Sequence, residues 1–256
     1  MKKKVIYYRD ELHEEFSEAK ISPKFIDEKY RYEGGRLRPL GRGLWYHLLA
    51  KPIAWMIMKI GFGHRIVNGS ILKSARKEGY FLYGNHTNPV PDAFIPTMLN
   101  FTGSVYVIVH PANVSMPVLG RVTPSLGALP LPDTKGAFKN FLKTLEHHCD
   151  RHKVIMIYPE AHIWPYYTKI RPFVADSFQF PILFQKPVYC LTNTYQKRLF
   201  FKRPRMVTYV DGPFYPDESL PRGRQKQELR DRVYETMTKR STNNTVEYIH
   251  YEKINA

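Results

Sequence analysis

The chain is short of cysteine, of acid and of long apolar runs. Its 256 residues hold only Cys149 and Cys190, too few for a disulfide framework, so nothing in the sequence calls for an oxidising compartment. Acids number 23 against 39 Lys and Arg, a formal charge of +16 with His neutral. No apolar run reaches the roughly 20 residues that a bilayer-spanning helix needs. The basic start, Met1 to Lys4, is not followed by an apolar stretch either, which argues against a signal peptide. There is no Gly-x-Ser-x-Gly elbow and no cysteine with a plausible partner, so the sequence offers no ready nucleophile for covalent catalysis. His147, His148 and His152 are no metal set, because adjacent histidines point apart on a helix and the remaining pair supplies only two ligands. No metal is expected.

What is present is positive charge, aromatic side chains and a regular alternation of elements. The charge suits a polyanionic partner: nucleic acid, anionic lipid headgroups or an acidic cofactor. Lys and Arg are spread along the chain rather than gathered in a recognisable nucleic-acid motif, which weighs against nucleic acid. Tyr (18) and Phe (15) suit a membrane interface and an ordinary core alike.

The most informative stretch runs from Gly79 to Asp92. Tyr80 to Tyr83 reads as a buried strand that breaks at Gly84 into a loop carrying Asn85 and His86, and Pro89 and Pro91 then stiffen the path to Asp92. A sheet fixes the base of such a loop. An imidazole, with a reference pKa near ~6.5, accepts a proton at neutral pH, and a nearby acid can hold the ring in one tautomer and stabilise the imidazolium. The bland alternative is a surface histidine in a turn with an unrelated acid nearby. A second strand, Val154 to Ile157, leads into Tyr158-Pro159-Glu160 and places another carboxylate at a strand's C-terminal edge, where open α/β sheets build their sites. A capping or surface role is the alternative for Glu160. Between them, His110 to Pro132 is rich in Pro and Gly and contains Pro117-Val118-Leu119-Gly120 and Gly127-Ala128-Leu129-Pro130.

In this order the three stretches resemble the motifs of the glycerolipid acyltransferase family, the 1-acylglycerol-3-phosphate and lysophospholipid acyltransferases, over roughly residues 60 to 215. The likeness is imperfect. Five residues separate His86 from Asp92 where the family has four. Ala161, His162 and Ile163 replace the Gly, Thr and Arg that follow the family's Pro-Glu, and Pro132-Asp133 stands where a phosphate-binding Arg is usual. The resemblance implies direct acyl transfer from acyl-CoA or acyl carrier protein to a lysophospholipid hydroxyl. His86 would be the general base, Asp92 its orienting acid, and backbone N–H groups near the loop would meet the oxyanion. Asn85, Glu160, Arg121, Lys169 and Arg171 would meet substrate, the last two in place of the lost Arg; for Arg121 a solvated helix end is an equal reading. It implies no cofactor, since the thioester is a substrate. A different lysolipid acceptor, or an inactive membrane-binding relative, is the alternative.

The expected architecture is α/β: a single domain with a mixed, largely parallel sheet flanked by helices, preceded by an N-terminal interfacial helical segment. Residues 1–40 read as a polar arm lying on the domain, 41–62 as a membrane-interface helical segment and 63–256 as the acyltransferase domain. Leu44 to Ile60 is the most apolar stretch, and Pro52 is expected to kink or split it. Its Trp45, Trp55 and Lys59 suit a helix at headgroup level; a core helix covering the sheet is the alternative. These readings place the protein on the cytoplasmic face of a membrane, peripheral or monotopic, with the membrane surface, lysophospholipid and acyl donor as partners. Helices are further expected over Ala93–Asn100, with Pro96 in the first turn, over Asp133–His152 and Val174–Phe184, and over Leu220–Arg240.

Overall fold

Short apolar runs set the sheet. Tyr80–Gly84 and Val154–Ile157 are buried along their whole length, as strands covered on both faces must be. The computed structural model describes residues 4–16, 21–32, 45–100, 103–117 and 119–254; the boundary expected at residue 40 lies outside them. In chain order the strands are β1 Lys4–Tyr8, β2 Arg65–Val67, β3 Tyr80–Gly84, β4 Val105–Val109 and β5 Ala128–Pro130, then β6 Val154–Ile157, β7 Val188–Gln196, β8 Arg205–Phe214 and β9 Ile249–Lys253. The helices are α1 Lys51–Met56, α2 Leu72–Ala75, α3 Pro89–Leu99 and α4 Leu119–Val122, then α5 Lys135–Asp150, α6 Gln179–Leu183 and α7 Arg222–Ser241.

Seven strands form the main sheet in the order β2-β8-β7-β3-β6-β4-β5. The run from β7 to β5 is parallel, while β8 pairs antiparallel with β7 and carries β2 parallel to itself. The sheet is therefore mixed and largely parallel, as expected. Alternation along the strands divides the core into two layers. Phe81, Tyr83, Ile155 and Ile157 pack with Phe141 and Leu145 of α5 and with Leu229, Val233 and Met237 of α7. Tyr80, Leu82, Val154 and Met156 face the other way, onto Met58, Phe62, Leu72, Ile95 and Leu99. Thr134 caps α5 by accepting from the Ala137 N–H at 3.1 Å.

Several elements depart from the sequence reading. Helix α3 begins at Pro89, not Ala93, so Pro96 lies inside it. Asn88 is extended just before it and Pro89 stands in the first turn, where the missing N–H leaves no bond unmade. Pro52 does not split the helical path 45–61. It falls in the first turn of α1, between wider π-type turns Trp45–Ala50 and Ile57–Gly61, whose i→i+5 spacing accommodates its ring. Residues 174–184 hold only a 3₁₀ turn, Asp176–Phe178, and the short α6. Strand β8 continues through Gly212 and Pro213 to Phe214.

In the N-terminal stretch Ile26 is buried, its N–H donates to Asp133 Oδ2 at 2.7 Å, and its carbonyl accepts from the Asp133 N–H at 3.0 Å. This stretch also supplies β1, which pairs in parallel with β9 as a separate two-stranded sheet. Among the described residues, no helix is long and apolar enough to cross a membrane.

Candidate active site

Strand β3 runs between β7 and β6 in the middle of the sheet. At its C-terminal end a side chain on Gly84 would press on both neighbours: an added Cβ would lie 2.6 Å from Leu191 Cδ1 and 2.7 Å from Met156 Cε. The chain then leaves the ladder, and the Asn85 side chain takes over the pairing. Its Oδ1 accepts from the Asn193 N–H at 2.7 Å and its Nδ2 donates to the Asn193 carbonyl at 3.1 Å. Asn85 thereby clamps the base of the loop to β7, with its amide spent inside the protein rather than open to a substrate.

His86 follows, with its side chain 18% exposed. Its Nδ1 lies 2.9 Å from Asp92 Oδ2. The spacer of five residues is absorbed because α3 starts within it. Asp92 sits in the first turn, its N–H donating to the Asn88 carbonyl at 3.0 Å, and its carboxylate curls back over the loop. There Oδ2 also accepts the N–H groups of Thr87 and Asn88, both at 2.8 Å, while Oδ1 takes Asn193 Nδ2 at 3.3 Å. A buried carboxylate surrounded by donors holds the histidine with Nδ1 protonated, which leaves a lone pair on Nε2. The ring stacks on Tyr158, with centroids 4.4 Å apart, and the Tyr158 hydroxyl donates to the Asp92 carbonyl at 2.5 Å. Burial raises that hydroxyl's pKa well above its usual value, so it remains a donor.

Glu160 closes the loop from the β6 side. Its Oε2 accepts the His86 N–H and its Oε1 the Arg171 N–H, each at 2.9 Å. The Arg171 guanidinium stands 3.8 Å from Glu160 Oε2, with both side chains fully buried. It donates to the carbonyls of Glu11 at 3.1 Å, Glu160 at 3.0 Å and His162, and lies over the Trp164 ring. Burial raises the Glu160 carboxyl pKa, against the pull of Arg171 and the backbone donors.

The structure thus brings together His86, Asp92, Asn85, Glu160 and Arg171. Asn85, Glu160 and Arg171, expected at the substrate, are turned inward and brace the loop. The N–H groups of residues 86, 87 and 88 are all committed to Glu160 or Asp92. Lys169 is exposed. Arg121 is on α4, but its side chain lies outside the described residues, as does that of Trp45. Burial pushes the Cys149 thiol up to about 12 and raises that of Cys190 as well, so neither is a thiolate nucleophile near neutrality.

Sequence reasoning missed Asn193, Tyr195, Thr208 and His64. From Asp92 the polar contacts continue through Asn193, whose Oδ1 accepts from Thr208 Oγ1 at 2.7 Å, to His64 Nε2, 2.8 Å from Thr208 Oγ1. The Tyr195 hydroxyl donates to Thr87 Oγ1 at 2.8 Å. The available signal was Thr192-Asn193-Thr194, a polar run inside an apolar strand, with all three side chains buried.

No protein-family model matches the chain, and no curated protein matches it. A solved structure does: the 1-acyl-sn-glycerophosphate (LPA) acyltransferase PlsC from Thermotoga maritima, with a TM-score of 0.56, 12% identity, and coverage of 86% of this chain and 89% of that one. The two chains share a fold. Because the match spans nearly the whole of both, the likeness is one of complete architecture rather than of a common βαβ unit.

Proposed function

We propose that the protein is a glycerolipid-type acyltransferase, moving a fatty acyl group from acyl-CoA or acyl carrier protein to a lysophospholipid hydroxyl. The observation that carries the reading is the His86–Asp92 pair, 2.9 Å apart at the C-terminal edge of the central strand. The fold shared with an enzyme titled an LPA acyltransferase supports it.

His86 Nε2 removes the acceptor hydroxyl's proton as its oxygen bonds to the thioester carbonyl carbon. Asp92 stabilises the imidazolium. The tetrahedral intermediate collapses, the carbon–sulfur bond breaks, and the imidazolium returns the proton to the thiolate. Asn85, Glu160, Arg171, Tyr158 and Asn193 hold the loop for that step. The first acceptor to consider is 1-acylglycerol-3-phosphate, giving phosphatidate. Exposed Lys169 is available to its phosphate, and Arg121 is the second cation assigned to it from the sequence. The enzyme works as a peripheral or monotopic protein at the cytoplasmic face of a membrane, held by the apolar face of 45–61: Leu48, Ile53, Trp55, Met56 and Ile60 are exposed there while Lys51, Ala54 and Met58 are buried.

A second acceptor is favoured by one observation. Arg171, the one buried arginine among the described residues, is spent on internal partners, so a lysolipid with another headgroup fits as well. Incubation with both donors and a panel of lysolipids, read by mass spectrometry, distinguishes these. Acylated lysophosphatidate supports the first reading, selective acylation of another lysolipid supports the second, and no product with either donor contradicts both.

A further inference from the structure

The turn between β7 and β8 carries an exposed apolar tip, against which the Arg198 guanidinium stacks over the Phe201 ring, 3.7 Å from its centroid. Leu199 is 90% exposed, Phe200 89% and Phe201 60%. These three successive side chains are preceded by Lys197 and Arg198 and followed by Lys202, Arg203 and Arg205, with no acid among residues 197–205. The tip stands on a braced base. The Gln196 amide donates to the Asn243 carbonyl at 2.5 Å, the Lys197 N–H to Thr245 Oγ1 at 3.1 Å, and the Met206 N–H to the Phe62 carbonyl at 3.0 Å.

The position of this tip matters as much as its composition. Strand β7 continues from Leu191, paired with Gly84, on to Gln196, so the hairpin projects from the sheet edge at which His86 sits. Strand β2 runs parallel to β8, with Arg65 opposite Val207, so the helical path 45–61 also ends at this edge. The two elements touch: Arg198 Nη1 donates to the Gly61 carbonyl at 3.2 Å, and the Arg203 guanidinium lies 5.2 Å from the centroid of the Phe62 ring. Tyr195, near the root of the hairpin, is hydrogen-bonded to Thr87 in the site loop.

We propose that the β7–β8 hairpin tip is a second membrane-docking element, inserting Leu199, Phe200 and Phe201 below the headgroups of an anionic bilayer while the flanking cations meet lipid phosphates. The occupant follows from the chemistry. The tip has no polar side chain at its centre to specify a protein partner, yet it is ringed by positive charge, the arrangement suited to an apolar layer beneath an anionic one. Together with the exposed face of 45–61 it sets the sheet edge carrying His86 toward the bilayer, so that a lysolipid need not leave the membrane to reach Nε2. This rests on the reading of the chain as a membrane-surface enzyme, but its test needs no turnover.

The test is flotation of the full chain with vesicles of phosphatidylcholine, alone or mixed with phosphatidylglycerol. Three variants are compared: Leu199→Ser with Phe200→Ser and Phe201→Ser; Lys197→Gln with Lys202→Gln; and Ile53→Ser with Ile60→Ser. The hairpin substitutions are exposed, so folding should be unchanged by circular dichroism. Each cation near an anionic surface is worth roughly fivefold in partitioning. The lysine pair should therefore lose roughly ten- to thirtyfold, on anionic vesicles only. The serine triple at the tip should lose more than tenfold on the mixed vesicles. Wild-type binding by the tip triple while the Ile53/Ile60 variant fails overturns the hairpin proposal and leaves the membrane-surface reading standing. Failure of the wild type to bind either vesicle overturns both. Intact binding without acyl transfer leaves the hairpin proposal in place and contradicts only the enzyme reading.

Discussion

Asp92 accepts three donors on Oδ2 and one on Oδ1. Asp92→Asn puts a donor among those donors and removes the charge that stabilises an imidazolium. Acyl transfer should fall by about 10²–10⁴-fold, with the far-ultraviolet spectrum retained; an unchanged rate would remove Asp92 from the mechanism. Arg171 and Lys169 should separate sharply. Arg171→Ala leaves the buried Glu160 without its cation and should cost about 3–5 kcal/mol in a denaturant titration. Lys169→Ala, at an exposed position, should stay within about 0.5 kcal/mol and instead raise KM for a phosphate-bearing acceptor. The sequence pointed to His86 and Glu160 because each stands just past the end of an apolar run, and to Asp92 because it closes the proline-stiffened path from His86. It did not show that Glu160, Asn85 and Arg171 spend their polar atoms on backbone partners, since sequence spacing carries no information about which way a side chain turns. Asn193 was hidden by distance, lying 101 positions from the Asp92 it holds.

At the scale of elements, the turn into β3 is the most constrained position before the site. Gly79 has φ +72°, and a Cβ there would lie 2.8 Å from the Cα of His152, a backbone atom with no room to move. Gly79→Ala should therefore lower stability by roughly 2 kcal/mol or more, measured as a shifted denaturation midpoint at unchanged m-value; a neutral effect would show that the α5–β6 turn yields. Strands β3 and β6 were legible because a fully buried strand is a continuous apolar run. Strands β1 and β9 were not, since each keeps exposed positions and their pairing joins the two ends of the chain. The start of α3 was misplaced because its prolines read as a loop. In the first helical turn they cost no hydrogen bond, and it is this early start that brings Asp92 back to His86.

For the whole molecule, pH and salt are the informative variables. His64 is buried beside Thr208, and burial together with Lys59 pushes it down to about 3. A depressed histidine contributes stability above its unfolded value near ~6.5 and loses it as pH falls toward its folded value. Stability should thus decline between pH ~6.5 and about 3, by on the order of 4–5 kcal/mol at most from this residue, and His64→Gln should flatten that part of the profile in thermal melts. A parallel decline in both proteins would assign the acid sensitivity elsewhere. The +16 charge predicts membrane binding that weakens as salt screens it.

The central claim is that His86 is the base for acyl transfer, and thiol release tests it most directly. Wild type and His86→Ala, each verified as folded, are given acyl-CoA and the best lysolipid acceptor in mixed micelles. Acceptor-dependent release of CoA by the wild type, lost by 10²-fold or more in the variant, is the predicted result. Equal release from both proteins would contradict the account.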